Sequence, residues 1–211
     1  MSLIEGGASR YLPSGLSVAA MRRAVQQCKG CPLYRRATQA VFGEGRRGAA
    51  MMLVGEQPGN DEDRRGHPFV GPAGRVLDDA LAQADIARTD TWVTNVVKHF
   101  KWEARGERRL HKKPGAAEID ACLPWLGREL AAVRPTVVVC LGATAAQALL
   151  GRRFRVTRDR GRDIATEFAP HTVATLHPSA ILRQKTDADR HRAMRHFVAD
   201  LRVAAGLLHA R

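Results

Sequence analysis

Three side chains that can take part in chemistry each stand at the end of an apolar, strand-like segment: Glu56, Asn95 and His177. A carboxylate and an imidazole can exchange protons with a substrate, and a carboxamide presents a donor and an acceptor side by side. His177 can also donate a hydrogen bond to negative charge that develops on a leaving group. Plainer interpretations remain, with Asn95 as a turn residue and His177 as a buried structural group.

Residues 54–74 follow an apolar, strand-like run, and they contain five glycines and three prolines. Because glycine and proline interrupt both helices and strands, we expect a long, stiff loop with no regular structure. Long loops in compact domains are usually functional. Phe69 in this loop can stack on a flat ligand, as in enzymes that flip bases, or it can plug the core.

Four cysteines, Cys28, Cys31, Cys122 and Cys140, make up the whole cysteine content of the chain. The CxxC spacing of the first two places two thiolates within reach of one metal, and the other two must approach through the fold. Such a set suits either tetrahedral zinc or a 4Fe–4S cluster. The alternative is four unrelated buried thiols.

The elements that must position these residues alternate between strands and helices. Apolar runs predict four buried strands, at residues 49–54, 91–97, 136–141 and 173–176, and helical spacing predicts helices at 16–27, 74–84, 116–133 and 187–208. This alternation predicts a single-domain, three-layer α/β/α fold with a central, mostly parallel four-stranded sheet. Ligands bind such sheets beyond the carboxyl ends of the strands, so Glu56, Asn95 and His177 are expected to share one crevice. No Walker-type or GxGxxG motif follows a strand, which disfavours nucleotide hydrolysis and NAD chemistry.

The charge of the chain points to an anionic partner. Its 211 residues contain 34 Lys and Arg against 21 Asp and Glu, a net charge of +13, which favours nucleic acid binding. Basic residues concentrate at 100–114 and 152–162, which are expected to be loops that contact phosphates or only face solvent. We expect an irregular tail over residues 1–15, one domain over 16–211, no membrane span, and a cytoplasmic location, since the N-terminus has no signal-type apolar segment.

Three short motifs, at residues 55–59 (GEQPG), 66–74 (GHPFVGPAG) and 177–179 (HPS), follow one another in a specific order. Together they resemble the uracil-DNA glycosylase superfamily, and more narrowly its iron–sulfur branch, family 4 and the related UdgX proteins. The resemblance implies excision of uracil from DNA, single-stranded DNA by preference, by a monomer. It also favours a 4Fe–4S cluster on the four cysteines. The implied uracil-binding residues are Gln57, Phe69, Asn95 and His177, with Glu56 and His177 catalytic and with Arg109 and Arg183 on DNA phosphates.

Residues 108–111 (RRLH) resemble the Arg-Arg-Ile-His insertion that marks UdgX and is absent from other family 4 proteins. In UdgX that histidine bonds covalently to the deoxyribose after uracil leaves, so the resemblance implies that His111 is a nucleophile. The chain departs from the pattern at Glu107, where UdgX usually has Lys, and at Leu110. Two other hypotheses stay open: a family 4-like hydrolase with normal turnover, and a metal-containing DNA-binding module without catalysis.

Overall fold

The computed structural model describes residues 7–208. Within them the strands are β1 (Glu44–Gly45), β2 (Met51–Gly55), β3 (Thr91–Asn95), β4 (Trp102–Arg105), β5 (Arg108–His111), β6 (Val137–Leu141), β7 (Asp163–Thr166) and β8 (Ala169–Thr175). The α-helices are α1 (Val18–Val25), α2 (Asn60–Arg65), α3 (Pro72–Gln83), α4 (Ala116–Val133), α5 (Ala143–Leu150), α6 (Val156–Asp159), α7 (Pro178–Leu182) and α8 (Asp187–Leu207). No helix in this part of the chain is long and apolar enough to cross a membrane.

The central sheet has six strands in the order β1-β3-β2-β6-β8-β7. The four predicted strands form its parallel centre, β3-β2-β6-β8. The prediction of a four-stranded sheet was wrong, because β1 and β7 add an antiparallel strand at each edge. These edge strands are short and largely exposed, so they lack the apolar runs that identify buried strands.

Helices cover both faces of the sheet, and the side chains of β2 show how the faces alternate. Met52 and Val54 pack with residues of α1, α4 and α5, whereas Met51 and Leu53 pack with residues of α3, α7 and α8. A strand buried on both faces is apolar throughout, as expected for the centre of a parallel sheet. The three-layer arrangement places the carboxyl ends of β2, β3 and β8 along one edge.

Two segments that were expected to be loops contain regular structure. The glycine-rich stretch includes α2, which Gly59 precedes and Gly66 ends with a left-handed φ of 79°. The prediction overlooked that glycine also serves as a helix terminator, and that an acidic first turn favours a helix start. The basic stretch 100–114 includes a β4–β5 hairpin, in which Trp102 pairs with His111.

The predicted N-terminal tail lies partly outside the described residues, since only residues 7–15 of it are placed. Ser9–Tyr11 form a 3-10 turn, and the neighbouring Ala8 is buried, with its N–H bonded to the carbonyl of Ala121. Segment 7–15 therefore packs against α4. The boundary between tail and domain stays a prediction.

Candidate active site

The loop that follows β2 folds tightly against the end of β3. Gly55 and Asn95 are register partners at the ends of these strands. A Cβ at Gly55 would lie 2.4 Å from Asn95 Oδ1 and 2.6 Å from Phe69 Cζ, so only glycine lets these groups approach. Phe69 itself has a left-handed φ of 55°, an uncommon conformation for a bulky residue. A Cβ at Gly74 would meet the Phe69 carbonyl at 1.8 Å. The sequence therefore sets this aromatic ring in a constrained position.

A cavity of about 780 Å³ opens at this edge of the sheet. It brings together every predicted catalytic and uracil-binding side chain and one of the two predicted phosphate contacts. The members of this group are Glu56, Gln57, Phe69, Asn95, His111, His177 and Arg183. The convergence of strand ends that the sequence predicted is thus present in the structure. Arg109 does not line the cavity.

Asn95 provides an unpaired acceptor inside the cavity. The residue is 2% exposed, and its Oδ1 is buried without a hydrogen-bond partner. A buried polar atom left unpaired costs about 1–3 kcal/mol, so such atoms are rare unless a ligand satisfies them. The Phe69 ring lies near the His177 ring, with centroids 6.0 Å apart and a tilt of 33°. The cavity therefore combines an aromatic wall with an acceptor that requires a donor.

The His177 ring is held as one neutral tautomer. Its Nδ1 accepts a hydrogen bond from the backbone N–H of Ser179 at 3.1 Å, which leaves the ring proton on Nε2. The Ser179 hydroxyl lies 2.8 Å from the same Nδ1 and accepts from Arg183 Nη1 at 2.9 Å. Burial, with smaller contributions from Arg183 and His111, lowers the pKa of His177 to about 4. His177 is therefore a neutral donor at neutral pH.

His111 lies at the base of the hairpin, with its side chain 51% exposed. Its Nε2 is 2.9 Å from Gln57 Nε2 and 3.5 Å from Glu56 Oε1. The Gln57 amide is oriented by its other bonds, since its Oε1 accepts from Lys101 N–H and its Nε2 donates to the Lys112 carbonyl, both at 3.0 Å. Gln57 therefore clamps both strands of the hairpin and donates to His111 Nε2.

Arg109 faces the protein and makes contacts that fix the hairpin. Its guanidinium donates to Asp63 Oδ2 at 2.7 Å and to Asn60 Oδ1 at 2.8 Å, and it stacks 5.2 Å from the Trp102 ring. The side chain is 15% exposed, and Nη2 is buried without a partner. A phosphate contact by Arg109 stays a prediction, to which this geometry gives no support. Asp63, fully buried, anchors the guanidinium from α2.

All four cysteines belong to one core cluster or pack against it, on the face of the sheet that α1, α4 and α5 cover. Burial raises the pKa of Cys122 to about 12, an effect that Lys98 opposes and that Cys31 and Cys28 reinforce. Burial likewise raises the pKa of Cys31, with Cys28 adding to the effect. The backbone N–H of Lys98 donates to Cys122 Sγ at 3.3 Å, and Trp125 Nε1 donates to Cys28 Sγ at 3.2 Å. Donors of this kind stabilise thiolates.

Cys140 belongs to the same core cluster as Cys28 and Cys122. It lies within β6, where its Cα pairs with Val54 and Ala174, and burial alone raises its pKa to about 12. In residues 7–208 no three His, Cys, Asp or Glu side chains stand in metal-ligating geometry. The four thiols have the ligand chemistry of a metal centre, and the predicted four-cysteine site stays a prediction.

Sequence reasoning missed two polar side chains of the site. The Thr144 hydroxyl donates a short hydrogen bond to Glu56 Oε2, and Ser179 fixes the tautomer of His177. Thr144 stands at the start of α5, directly beyond the end of β6. A hydroxyl at the carboxyl edge of a parallel sheet was the available signal.

Comparison with known proteins agrees with this geometry. Residues 42–202 match the family described as the uracil DNA glycosylase superfamily. A type-4 uracil-DNA glycosylase of Pyrobaculum aerophilum is 36% identical over 171 residues, which cover 78% of this chain and 84% of that protein. One of Thermotoga maritima is 35% identical over 164 residues, covering 77% and 82% respectively. A DNA polymerase of Bacillus phage SP01 is 27% identical over 170 residues, only 16% of its length. The chain therefore belongs to the uracil-DNA glycosylase superfamily.

Proposed function

We propose that this protein excises uracil from DNA and then captures the deoxyribose through His111. The observation that carries the excision is the unpaired Oδ1 of Asn95 in an aromatic-walled cavity. Uracil offers an N3–H donor to this acceptor, whereas N3 of cytosine has no proton. Phe69 stacks on the flipped base. The type-4 uracil-DNA glycosylases among the relatives support the same substrate.

Cleavage of the glycosidic bond follows from the state of His177. The bonding electrons move to uracil N1, and negative charge spreads to O2 of the base. A neutral imidazole with its proton on Nε2 donates to that oxygen, and its position is fixed before the reaction begins. Such preorganised donors give much of the rate enhancement in enzymes. Arg183, at the cavity wall, provides a positive charge for a DNA phosphate.

Capture of the sugar follows from the position of His111. Loss of uracil leaves an oxocarbenium-like C1′, and an imidazole lone pair can form the C1′–N bond. The ring then carries a positive charge, which the Glu56 carboxylate, 3.5 Å from Nε2, compensates, and the proton on Nδ1 passes to Glu56 through water. In the free protein Gln57 donates to His111 Nε2, so Nε2 can attack only after this bond is released.

An iron–sulfur cluster is the metal centre that we propose for Cys28, Cys31, Cys122 and Cys140. Their position in or against one core cluster and the two N–H···S hydrogen bonds support it. When bound, the cluster would crosslink the N-terminal segment to α4. No step of the reaction is assigned to it.

A hydrolase with normal turnover is the second candidate. The names of the type-4 relatives favour it, and so does the Gln57 donation that occupies His111 Nε2. In this case water attacks C1′, Glu56 accepts its proton, and His111 contacts the DNA without bonding to it.

One experiment distinguishes these functions. The protein is incubated with single-stranded DNA that contains one uracil, and a denaturing gel is run before and after hot alkali. A shifted band that survives SDS and heat supports capture, and alkali cleavage without a shift supports turnover. Absence of both would leave a DNA-binding module. The same reaction with duplex DNA of matched sequence tests the proposed preference for single-stranded DNA, in which no base pair must be broken before the uracil is flipped out. We propose that the protein acts as a monomer.

Two variants assign the roles within this experiment. His111→Ser should release uracil and leave an abasic site without cross-linking, because water then reaches C1′. Asn95→Ala should slow uracil release about 5- to 150-fold, since 1–3 kcal/mol of pairing is lost in a dry pocket. Excision by Asn95→Ala at the rate of the unmodified protein would contradict the assignment of the pocket.

A further inference from the structure

Thr144 makes a direct contact with the carboxylate that faces His111. It is the second residue of α5, and it is 5% exposed. Its hydroxyl donates a short hydrogen bond to Glu56 Oε2. The other carboxylate oxygen, Oε1, is the one that lies 3.5 Å from His111 Nε2. The two oxygens of Glu56 therefore have different partners, one on the helix and one on the hairpin.

This arrangement restricts an otherwise mobile side chain. A glutamate has three rotatable bonds, and ordering such a side chain costs rotamer entropy. A hydrogen bond to a charged group is strong enough to offset that cost and hold one rotamer. Because Thr144 is fixed at the start of a helix, the bond sets where Glu56 Oε1 lies. Without the hydroxyl, the carboxylate is free to turn away from His111.

We propose that Thr144 is a positioning residue that directs the deoxyribose to His111 rather than to water. The inference rests on the proposed function. Both outcomes begin when the C1′–N1 bond breaks and its electrons leave with uracil. Capture needs Glu56 beside the imidazole, where it compensates the new positive charge. Hydrolysis needs a base that accepts a proton from the attacking water, and a Glu56 carboxylate released from Thr144 can do so.

The test separates the two products of each turnover. Thr144→Val keeps the shape of the side chain and removes its hydroxyl, and Thr144→Ser keeps the hydroxyl. Thr157→Val is the matched control, because Thr157 lines the same cavity but is not a partner of Glu56. Single-turnover reactions with uracil-containing single-stranded DNA are quenched at intervals. Free uracil, SDS-stable adduct and released abasic DNA are then measured, and thermal unfolding confirms that each variant is folded.

In Thr144→Val the ratio of adduct to abasic product should fall on the order of tenfold, the equivalent of one hydrogen bond to a charged group. The rate of uracil release should stay within about threefold, since base recognition does not involve this hydroxyl. Thr144→Ser should restore the ratio, and Thr157→Val should not change it.

Two results would overturn the inference while leaving the proposed function intact. One is an unchanged ratio in Thr144→Val. The other is a parallel loss of uracil release and adduct that Thr144→Ser does not restore, which indicates a structural role only. If the unmodified protein forms no adduct, the proposed capture itself fails and this inference falls with it.

Discussion

The ion pair between Lys98 and Glu129 lies fully buried between the end of β3 and helix α4. Lys98 Nζ donates to Glu129 Oε2, to Thr94 Oγ1 at 2.8 Å and to the Asn95 carbonyl at 2.7 Å. The three protons of the ammonium thus have three acceptors, one of them on the residue that we assign to base recognition. We predict that Lys98→Met strongly destabilises the protein, because the Glu129 carboxylate then stays buried without its counter-charge.

The magnitude follows from what Glu129 retains. Breaking one side of a buried pair costs about 3–5 kcal/mol. Glu129 still accepts from the Gly43 N–H at 2.9 Å and from the Thr94 hydroxyl, so the lower end is expected. A loss of about 3 kcal/mol is a large part of the usual 5–15 kcal/mol of stability. For a chain of this length it lowers the melting temperature by about 6–12 °C.

The assay is a double-mutant cycle read by thermal and chemical unfolding. Glu129→Gln alone leaves the Lys98 ammonium buried, whereas the double variant removes both charges together. We expect the double variant to lose less stability than the two single variants added, because no isolated charge remains. If Lys98→Met has the melting temperature of the unmodified protein, or if the stability losses of the two single variants add up to that of the double variant, the two groups are not a coupled ion pair.

Three further predictions concern the cysteines, His177 and Arg109. Cys122→Ser and Cys140→Ser should both lose bound iron and visible absorbance; a Cys140→Ser protein that keeps both would remove Cys140 from the metal site. Burial lowers the pKa of His177 from 6.5 to about 4, so the neutral imidazole should support uracil release from pH 7 down to pH 5. The contribution of His177 to the free energy of unfolding is fully present above pH 6.5 and is lost as the pH falls towards 4. The rate of uracil release and the stability to urea, each measured across this pH range, test the prediction. If protonation of His177 makes the rate of uracil release fall with a midpoint near pH 6.5, the prediction is refuted. Arg109→Ala should lower the melting temperature without changing the salt dependence of DNA binding, and a slope reduced by about one would instead indicate a phosphate contact.

The buried elements of the fold were predictable from sequence because burial imposes a pattern. Helix α4 has the predicted bounds, Ala116–Val133, since its leucines repeat at helical spacing over 18 residues. The four central strands each contain a run of buried residues and were found for the same reason. The hairpin at 102–111 was missed because its pairing depends on anchors elsewhere. Arg109 is held by Asp63, and Gln57 holds its base, so charged residues that suggest a loop are fixed in strands.

In the candidate site, too, sequence patterns predict some residues, whereas others depend on distances that only the folded structure shows. Asn95 and His177 could be predicted as site residues because each ends a strand, and a parallel sheet brings the carboxyl ends of its strands to one edge. The gathering of the four cysteines in or against one core cluster could not be predicted from their spacing alone, since four cysteines without a register carry no distances. The pairing of Thr144 with Glu56 also depends on how far α5 stands from β2, a distance that local sequence does not encode.

The site draws on two supports of different rigidity, and this difference bears on the chemistry. Asn95 ends a central strand and Phe69 is locked by close glycine contacts, so the base is recognised by groups that the sheet fixes. His111 instead belongs to an exposed two-stranded hairpin outside the main sheet. The hairpin is held to the domain by side chains such as Arg109 and Gln57 rather than by hydrogen bonds to the main sheet, so changes in the hairpin can alter the fate of the sugar while the base pocket keeps its shape. Excision and capture are therefore separable, and loss of the His111 imidazole should convert capture into turnover rather than abolish excision.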